Sequence, residues 1–438
     1  MSVGWFGDSQ IKRTRVLQAV VVLLTTISCD VSAAGAGREV SLEAALAVAS
    51  ENNPELLAVR QQLTIANGRL ARARYWNPFN PHVGVGAGQR HFDQGGTDVQ
   101  PEAEIGLEVE IAGQRGKRIE EAEQALRRAQ AEVDSFERLL RASVEEAFYR
   151  SLYSSRRLEL FQKTSELNRR LRDATTVRFR SGEVAKLDEN LAVIRDGRSR
   201  RDVFKAERDY RNALLELERL LGREPAGNIE PQGALEVEPV LLDPAPLVAV
   251  ALEARPDLVA RQAELRRVEA QQELTRRSVV PNLTLGAFYE EEVEAGGDRD
   301  RIVGGRISFP LPVFDRKQAD LGVLSGRHAQ AEYDRRATVL AIRAEVSDAY
   351  GAYEAAVDAL SLYETEALSR IGENFRLIET AYREGKIDLL ELVVVQNDLV
   401  EAEFSYVESL WDYRRAAIAL ERAVGRPLSR LQDVSRAN

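Results

Sequence analysis

The sequence contains few of the side chains that bind metals or act as nucleophiles: one Cys, one Met and three His among 438 residues. A single Cys excludes an intramolecular disulfide framework, and so few thiols and imidazoles exclude a zinc or iron–sulfur cluster of Cys and His ligands. His82, His91 and His328 lie in no recognisable catalytic motif, which disfavours a nucleophile–histidine enzyme. We therefore predict no enzymatic activity, no cofactor and no resident metal site.

An excess of positive charge is also missing. The chain has 70 Asp and Glu against 60 Lys and Arg, a formal net charge of −10, whereas nucleic-acid-binding domains are usually basic. This balance argues against a nucleic-acid partner. With 30% charged and 6% aromatic residues, the composition favours long exposed helices over thick cores.

Long apolar runs are absent as well. No segment beyond the N-terminus reaches about 18 uninterrupted apolar residues, the length that a transmembrane helix needs. At the N-terminus, a basic stretch that ends at Arg15 precedes an apolar run over residues 16–28. Because this arrangement is typical of a secretory signal peptide, we predict that residues 1–36 are one and that the protein is exported.

Two cleavage sites are compatible with this signal peptide. The sequence around Ala34 and Ala36 matches an A-x-A-like site, and cleavage after either would remove Cys29. Cys29 also follows Thr-Ile-Ser, which loosely resembles a bacterial lipobox, so cleavage at Cys29 would leave an acylated N-terminus. Both alternatives stay open from the sequence.

The chain is internally duplicated, because three short segments recur in the same order at offsets of 202 or 203 residues. We assign the first repeat to residues 37–222, a Pro/Gly-rich connector to 223–243, the second repeat to 244–425 and a tail to 426–438. The matching segments are Asn53-Pro54-Glu55-Leu56 with Arg255-Pro256-Asp257-Leu258, Phe179-Arg180-Ser181-Gly182 with Tyr382-Arg383-Glu384-Gly385, and Leu221-Gly222-Arg223 with Val424-Gly425-Arg426.

Each repeat is predicted to hold a helix, two strands and a very long helical hairpin. The outgoing arm of the first hairpin lacks proline, which would break it, and would be roughly 100 Å long. We expect the shorter first helix to stack end to end with the returning arm. The predicted limits are about 41–75 for the helix, about 82–90 and 102–111 for the strands and Gly182 for the turn in the first repeat, and about 244–278, 282–291, 302–311 and Gly385 in the second.

The strands alternate strictly between apolar and polar residues. Over residues 102–111 the apolar side chains have a period of two for about ten residues, the length at which a tilted strand crosses a membrane. A soluble two-sided sheet is the alternative, although four strands have no evident place in a helical core. The polar face, which would line a barrel lumen, contains Glu102, Glu104, Glu108 and Glu110.

Four strands cannot close a barrel, and an open sheet edge is not tolerated in lipid. Three chains would supply twelve strands, an even number within the range of bacterial barrels. The predicted fold is therefore mainly α with a small β part. In it, duplicated helical hairpins form a periplasmic tube, and a homotrimer shares one 12-stranded barrel in outer-membrane lipid.

With these repeats, strands and hairpins, the chain resembles the TolC family of outer-membrane efflux proteins. Within that family it is similar to the CzcC-like heavy-metal branch in two segments, residues 108–118 and 309–318. The resemblance implies a trimeric, non-enzymatic exit duct that docks onto a periplasmic adaptor (a membrane fusion protein) and an inner-membrane pump of the resistance–nodulation–division type. It implies divalent metal cations as cargo, with drugs or other small molecules as the alternative. A periplasmic adaptor or structural coiled coil is the competing class.

The resemblance also implies roles for the two hairpin ends. Asp188 and Glu391 each lie six residues after the turn glycine, where the family places a gating acidic residue. Six carboxylates in a trimer would favour cations at a constriction. Alternatively, each carboxylate lies on a solvated helix face or pairs with Lys186, Lys386 or Arg383. The residues expected to dock the adaptor are Arg180, Gly182, Arg383 and Gly385.

Four aromatic residues stand out at two places in the chain. Trp76 and Phe79 precede the first strand, where they would suit an interfacial anchor or a packed contact within the helix junction. Trp411 and Tyr413 lie within a helix, and we expect them to pack inside the fold.

Overall fold

The computed structural model describes residues 38–93, 95–293, 299–364 and 389–431, together with 374, 376–378, 380–382, 384, 386 and 387. The predicted signal peptide with Cys29 and the last seven residues of the tail lie outside these ranges. So do Arg383 and Gly385. The structure is mainly helical with a small β part, which confirms the predicted fold class.

The first repeat follows the predicted order of elements, preceded by one short strand and followed by another. Its elements are β1 (Arg38–Val40), α1 (Leu42–Asn52), α2 (Pro54–Ala73), β2 (His82–His91), β3 (Thr97–Val109), α3 (Gln114–Arg180), α4 (Lys186–Leu220) and β4 (Ile229–Pro231).

The second repeat has the same order. Its elements are α5 (Leu247–Ala254), α6 (Pro256–Arg277), β5 (Leu283–Val293), β6 (Arg299–Ser308), α7 (Gln318–Glu364) and α8 (Leu389–Val424).

The first helix of each repeat is two helices, which corrects the expectation of one continuous helix. The breaks fall at Asn53 and Arg255, where ψ is 118° and 119°. Each of these residues precedes a proline, and the proline ring disfavours the helical conformation of the residue before it. Pro54 and Pro256 then occupy the first turn of the next helix, where a missing amide hydrogen costs nothing.

The long helices form a wall of four columns. α3 has 67 residues, about 100 Å at the usual rise. Both α2 and α4 pack on α3, which in turn packs on α6 and α8; α7 packs on α6 and α8 from the other side. The order across the wall is therefore α2 with α4, then α3, then α6 with α8, then α7.

Each returning helix ends against the break between the two short helices of its own repeat. Asn53 donates from Nδ2 to the carbonyl oxygen of Leu220 at 2.9 Å, and Arg255 donates from Nη1 to that of Ala423 at 3.2 Å. These contacts place α2 above α4 and α6 above α8, the end-to-end arrangement expected from the sequence. We call the two contacts the first joint and the second joint.

The connector packs on the helices and contributes a strand. β4 pairs in parallel with β1, from Arg38 opposite Ile229 to Val40 opposite Pro231. The hydroxyl of Tyr353 on α7 donates to the carbonyl oxygen of Val240 at 2.5 Å. Arg414 on α8 donates from Nε to the carbonyl oxygen of Leu235 at 3.0 Å, and its guanidinium lies 4.4 Å from the ring centroid of Tyr149 on α3. The connector therefore fastens α3, α7 and α8 together.

The four long strands form one antiparallel sheet in the order β2-β3-β5-β6. Val83 faces Ile105, Leu107 faces Leu285, and Leu285 faces Ile307. Within the described chain, β2 and β6 each have one neighbouring strand and are the sheet edges. The loop between β2 and β3 and the paired ends of β5 and β6 at Val293 and Arg299 lie at one end of the sheet, and all four strand–helix junctions lie at the other.

Candidate functional site

The sheet has one continuous apolar face that the chain does not cover. Because directly paired residues of an antiparallel sheet share a face, the register places the apolar residues of all four strands together. Val85 is 82% exposed and Val303 is 76% exposed. A soluble sheet would bury such a face, so this one is built to contact an apolar medium.

The opposite face carries Glu102, Glu104 and Glu108, as predicted from the alternation. Glu102 and Glu104 lie directly opposite Gly86 and Gly84. A Cβ on either glycine would collide with the facing glutamate; at Gly84, this Cβ would lie 2.9 Å from Cγ of Glu104. The glycines therefore leave room for the glutamates to lie across the neighbouring strand. The sequence shows these glycines, but their pairing with glutamates depends on the register.

Two further pairs extend this packing. His82 lies over Gly106 and Phe288 lies over Gly304. Arg306 pairs with Glu104 at 3.3 Å and lies 5.1 Å from the ring centroid of Phe288. On the polar face, large side chains therefore lie over glycines of the neighbouring strand, and Arg306 neutralises part of the negative charge.

Glu110 lies apart from the other predicted lumen glutamates. It follows the last residue of β3, is largely buried, and forms an ion pair with Arg118 in the first turns of α3. Arg118 also donates from Nε to the carbonyl oxygen of Ala73 at 3.3 Å. Glu110 therefore holds α2, α3 and β3 together at the strand–helix junction.

The first hairpin turns at Gly182, whose φ of 80° is favourable only for a residue without Cβ. The amides of Gly182 and Glu183 donate to the carbonyl oxygens of Phe179 and Arg178 at 3.0 and 2.9 Å. This pattern ends α3 as a Schellman motif. Arg180 is exposed beside it.

Asp188 lies in the first turn of α4 and is half-buried. Its Oδ2 accepts a hydrogen bond from the amide of Ala185 at 3.1 Å, which satisfies a backbone donor at the start of the helix. Lys186 pairs with Glu189. The carboxylate of Asp188 is therefore engaged by the helix start and is not paired with this lysine.

The second hairpin end is described only in part, because its predicted residues Arg383 and Gly385 lie outside the described residues. Lys386 pairs with Glu384 at 2.6 Å. Glu391 is exposed in the first turn of α8. The two predicted gate residues thus occupy matching first turns of α4 and α8.

A contact missed by the sequence reasoning links the two hairpins. Arg178 donates from Nη1 to the hydroxyl of Tyr382 at 2.7 Å, and its guanidinium lies 5.6 Å from the ring centroid. Leu171, Leu392 and Val393 are buried beside it. No local signal in the sequence reports a pair 204 residues apart.

A second missed contact clamps α3 to α4. Asp196 is buried and accepts hydrogen bonds from Arg200 at 2.6 Å and from Arg172 at 2.5 Å. The hydrogen bond from Arg200 and the charge of both guanidinium groups lower the pKa of Asp196. The ion pair between Arg172 of α3 and Asp196 of α4 therefore holds these two helices together near the hairpin turn.

The structure does not bring the histidines together. His82 and His91 are at opposite ends of β2, and His328 lies on α7 beside Glu269 at 3.4 Å. In the described part of the chain, no group of three or more His, Cys, Asp or Glu side chains could hold a metal ion. Nor do the described helices include one that is long and apolar enough to cross a membrane.

The four singled-out aromatic residues separate into two groups. Trp76 is exposed, and Phe79 is half-buried at the strand–helix junction, where it lines two cavities. Trp411 stacks on Tyr153 at 5.5 Å between ring centroids, and Tyr413 is buried. Trp411 and Tyr413 therefore pack inside the fold as expected.

Comparison with known proteins finds both the sequence family and the fold. The family described as "Outer membrane efflux protein" matches residues 45–223 and 247–426. The cobalt-zinc-cadmium resistance protein CzcC of Cupriavidus metallidurans is 26% identical over 389 residues, which cover 88% of this chain and 90% of CzcC. The family match confirms the resemblance drawn from the sequence motifs.

Two solved structures share the fold. A membrane protein from Pseudomonas aeruginosa aligns with a TM-score of 0.72 and 20% identity, covering 88% of this chain and 93% of its own. The transmembrane channel protein CusC aligns with a TM-score of 0.70 and 16% identity, covering 88% and 92% of the two chains.

Proposed function

The chain belongs to the outer membrane efflux protein family, and from this membership we propose that it is the exit duct of a tripartite efflux system. It would conduct substrate passively, without catalysis, from a periplasmic adaptor and an inner-membrane pump to the exterior. The observation that carries the proposal is the sheet with one uncovered apolar face and one glutamate-rich face, continued by a helical wall in which α3 is about 100 Å long.

The working unit would be a homotrimer. β2 and β6 are the described edges of the sheet, and unpaired backbone groups are not tolerated in lipid. Pairing β6 of one copy with β2 of the next would give twelve strands in a closed barrel. In the same assembly, α7 of one copy would meet the α2 and α4 column of the next and close the helical wall.

The cargo would be divalent metal cations. The similarity to CzcC over most of both chains favours this class. The exposed carboxylates of Glu102 and Glu104 agree with it, because a ring of acidic residues favours cations over anions in a pore. Passage would need no tight metal site, since a duct must release what it conducts.

The hairpin ends would form the adaptor-docking and gating region, with Asp188 and Glu391 as acidic gate residues. Both lie in the first turn of a helix that starts at this end of the wall. In a trimer, six such carboxylates would favour cations at the constriction. The hydrogen bond that fixes Asp188 to Ala185 would hold this carboxylate in place at the helix start.

Metal tolerance tests the cargo. We expect deletion of the gene, with the partner pump expressed, to increase sensitivity to cobalt, zinc and cadmium and to leave tolerance to a drug panel unchanged. Unchanged metal tolerance would remove the metal proposal, and greater drug sensitivity would favour the duct for small molecules.

Conductance tests the gate. We expect the double variant Asp188→Asn, Glu391→Gln to reduce cation selectivity in planar bilayers. Asp134→Asn is the matched control, because Asp134 is an exposed carboxylate far from the hairpin turn on α3. Equal selectivity of the gate variant and the unmodified protein would refute the gate and leave the duct intact.

A further inference from the structure

The four strand–helix junctions form one surface at one end of the sheet. β2 and β5 begin there, and β3 and β6 end there. We define the junction collar as residues 72–81, 110–118, 276–282 and 309–318. In an outer-membrane efflux protein, this end faces the periplasm, because the long helices leave the sheet from it.

The junction collar exposes large apolar side chains that no other part of the described chain covers. Phe314 is 91% exposed, Trp76 is 75% exposed and Leu311 is 73% exposed. Tyr75 and Val313 are also exposed. These residues follow or precede the strand ends and therefore adjoin the uncovered apolar face at the end of the sheet from which the helices leave.

The charge of the junction collar is opposite to that of the hairpin-loop end. The collar has nine basic residues (Arg72, Arg74, Arg115, Lys117, Arg118, Arg276, Arg277, Arg316, Lys317) and two acidic ones (Glu110, Asp315). The hairpin-loop segments, residues 90–98 and 290–301, have eight acidic residues and three basic ones. The two ends of one sheet therefore present opposite potentials to the two membrane surfaces.

Several collar cations are not neutralised within the chain. Arg72, Arg115, Arg277 and Arg316 have no acidic ion-pair partner among the described residues. Arg115 donates to the carbonyl oxygen of Arg74 at 2.9 Å, Arg277 to that of Gly113 at 3.3 Å and Arg316 to that of Pro312 at 3.2 Å. Carbonyl oxygens satisfy guanidinium hydrogens without cancelling the charge, so these groups remain available to an anion.

A groove of about 700 Å³ joins the apolar and basic parts of the collar. Phe314 and Leu311 line it together with Arg118 and Lys317. The acidic groups on its walls are engaged within the chain: Glu110 with Arg118, Glu108 with Asn282 at 2.7 Å, and Asp315 with Lys317 at 3.8 Å. Nη2 of Arg118 and Oε2 of its partner Glu110 are both buried without a hydrogen-bond partner.

We propose that the junction collar binds anionic phospholipid at the periplasmic face of the outer membrane. The phosphate would contact the unneutralised arginines, and the acyl chains would lie along Phe314, Leu311 and Trp76. Continuity with the membrane-embedded apolar face favours lipid over a soluble partner. Bound lipid would fix the depth of the barrel in the membrane and the position of the helical wall beneath it.

Native mass spectrometry of the full-length protein tests this proposal directly. The protein, in detergent, is mixed with equal amounts of phosphatidylglycerol and phosphatidylcholine, and the ratio of retained lipids is measured. We expect phosphatidylglycerol to be preferred about tenfold or more, since each basic residue near an anionic lipid surface contributes about fivefold in affinity. Equal retention of the two lipids would overturn the proposal.

Two double variants separate the collar from a general effect of charge. Arg72→Gln, Arg316→Gln removes two unneutralised collar cations and should lower the preference by at least about fivefold, the contribution expected of one cation. Arg299→Gln, Arg301→Gln removes two arginines at the hairpin-loop end and should leave it unchanged. An equal loss in both variants would contradict the collar as the binding surface.

A third measurement needs no variant. If the preference is electrostatic, raising the salt concentration from about 50 to about 500 mM should weaken it in the unmodified protein, because the screening length falls severalfold. Retention of phosphatidylcholine should change little. A preference that resists salt would overturn the role of the collar cations.

Discussion

In the first repeat the end of the returning helix is held by an amide, whereas in the second repeat the equivalent position is held by a guanidinium. Asn53 accepts from the amide of Leu56 at 3.0 Å and donates to the carbonyl oxygen of Leu220 at 2.9 Å, so one neutral side chain both caps α2 and fastens α4. Arg255 donates to the carbonyl oxygen of Ala423 and makes ion pairs with Asp257 and Glu345.

Asn53 and Arg255 occupy equivalent positions, and both donate to the end of the returning helix, but one is a neutral amide and the other a charged guanidinium. Both residues are buried, and both precede the proline that starts the next helix. The neutral joint needs no counter-ion, whereas the charged joint requires the carboxylates of Asp257 and Glu345 to accompany the buried guanidinium. The second joint should therefore be the one that responds to removal of a partner or to pH.

The largest effect is expected from Arg255→Ala. Removing the guanidinium leaves the carbonyl oxygen of Ala423 without this donor and leaves Asp257 without its close counter-ion. We expect local destabilisation of about 4 kcal/mol at the second joint, in the range for breaking a buried ion pair. Hydrogen exchange of amides in the last turn of α8 and the first turn of α6 measures it.

Asn53→Ala is the matched change in the first repeat. It removes a helix cap and one further hydrogen bond, and we expect a cost of about 2 kcal/mol at the end of α4. If Asn53→Ala destabilised the first joint as much as Arg255→Ala destabilises the second, or more, the ion pairs of Arg255 would not make the second joint more sensitive to the loss of a partner.

Both joints contain segments that the sequence identifies as repeated, and the end-to-end stacking of the short helix on the returning arm was expected. The residue pairs that form the joints were not deducible from those segments. The strands, the hairpins and the duplication follow from periodicity, glycines and prolines, which act locally. Asn53 and Leu220 are 167 residues apart, and Arg178 and Tyr382 are 204 apart. Such contacts depend on how the columns of the wall pack, which no local pattern encodes.

The polar face of the sheet also combines a feature that the sequence predicts with details that only the structure gives. Strict alternation predicted that Glu102, Glu104, Glu108 and Glu110 share a face. The register adds that Glu102 and Glu104 lie over glycines of β2, and the end of β3 at Val109 explains why Glu110 pairs with Arg118 instead. Strand ends are set by where helix packing begins, so periodicity alone could not separate Glu110 from the others.

The glycines after the two returning helices sharpen the comparison. Gly222 and Gly425 have φ values of 69° and 80°. A Cβ on Gly222 would lie 2.7 Å from the carbonyl carbon of Asn52. The nearest atom to a Cβ on Gly425 would be Cγ of Arg255 at 3.4 Å, with the backbone of Ala254 at an ordinary contact distance of 3.8 Å. The first joint is therefore packed more tightly against backbone than the second.

We expect Gly222→Ala to cost about 3 kcal/mol and Gly425→Ala about 1 kcal/mol. Both changes strain a left-handed residue, by about 1–2 kcal/mol, and only the first adds a collision with fixed backbone. The shift in thermal unfolding of the two variants, compared with the unmodified protein, measures the difference. Equal shifts would mean that the first joint can open to admit a methyl group.

A smaller contrast involves the glutamates that lie four residues before these two glycines. Glu218 is buried and accepts hydrogen bonds from the amides of Ala226, Gly227 and Asn228 at 2.6, 2.6 and 2.9 Å. Glu421 accepts one, from the amide of Leu428 at 2.6 Å. Burial outweighs this bond and raises the pKa of Glu421.

We expect Glu218→Gln to cost about 2 kcal/mol, because one amide oxygen replaces a carboxylate that binds three donors. Glu421→Gln should change stability by less than about 1 kcal/mol, since the neutral amide avoids the cost of a buried charge. Thermal unfolding at neutral pH gives both values. A larger loss of stability in Glu421→Gln than in Glu218→Gln would contradict the conclusion that burial disfavours the ionised carboxylate of Glu421.

The smallest effect expected is the response of the second joint to acid. Burial alone would raise the pKa of Asp257, but the hydrogen bond and charge of Arg255 outweigh it, so the pKa lies below its ordinary value. A lowered pKa gives stability that is present above the ordinary value, near 3.9, and is lost as the pH falls through the lowered one.

Hydrogen exchange between pH 7 and about pH 3 should therefore show earlier opening at the first turn of α6 than at the first turn of α2, after correction for the intrinsic pH dependence of exchange. Asn53 does not titrate, so the first joint has no equivalent loss. Asp257→Asn is the control, because it removes the titrating group and should abolish the difference between pH values at the second joint. If both joints opened alike on acidification, charge at Arg255 would not distinguish the repeats.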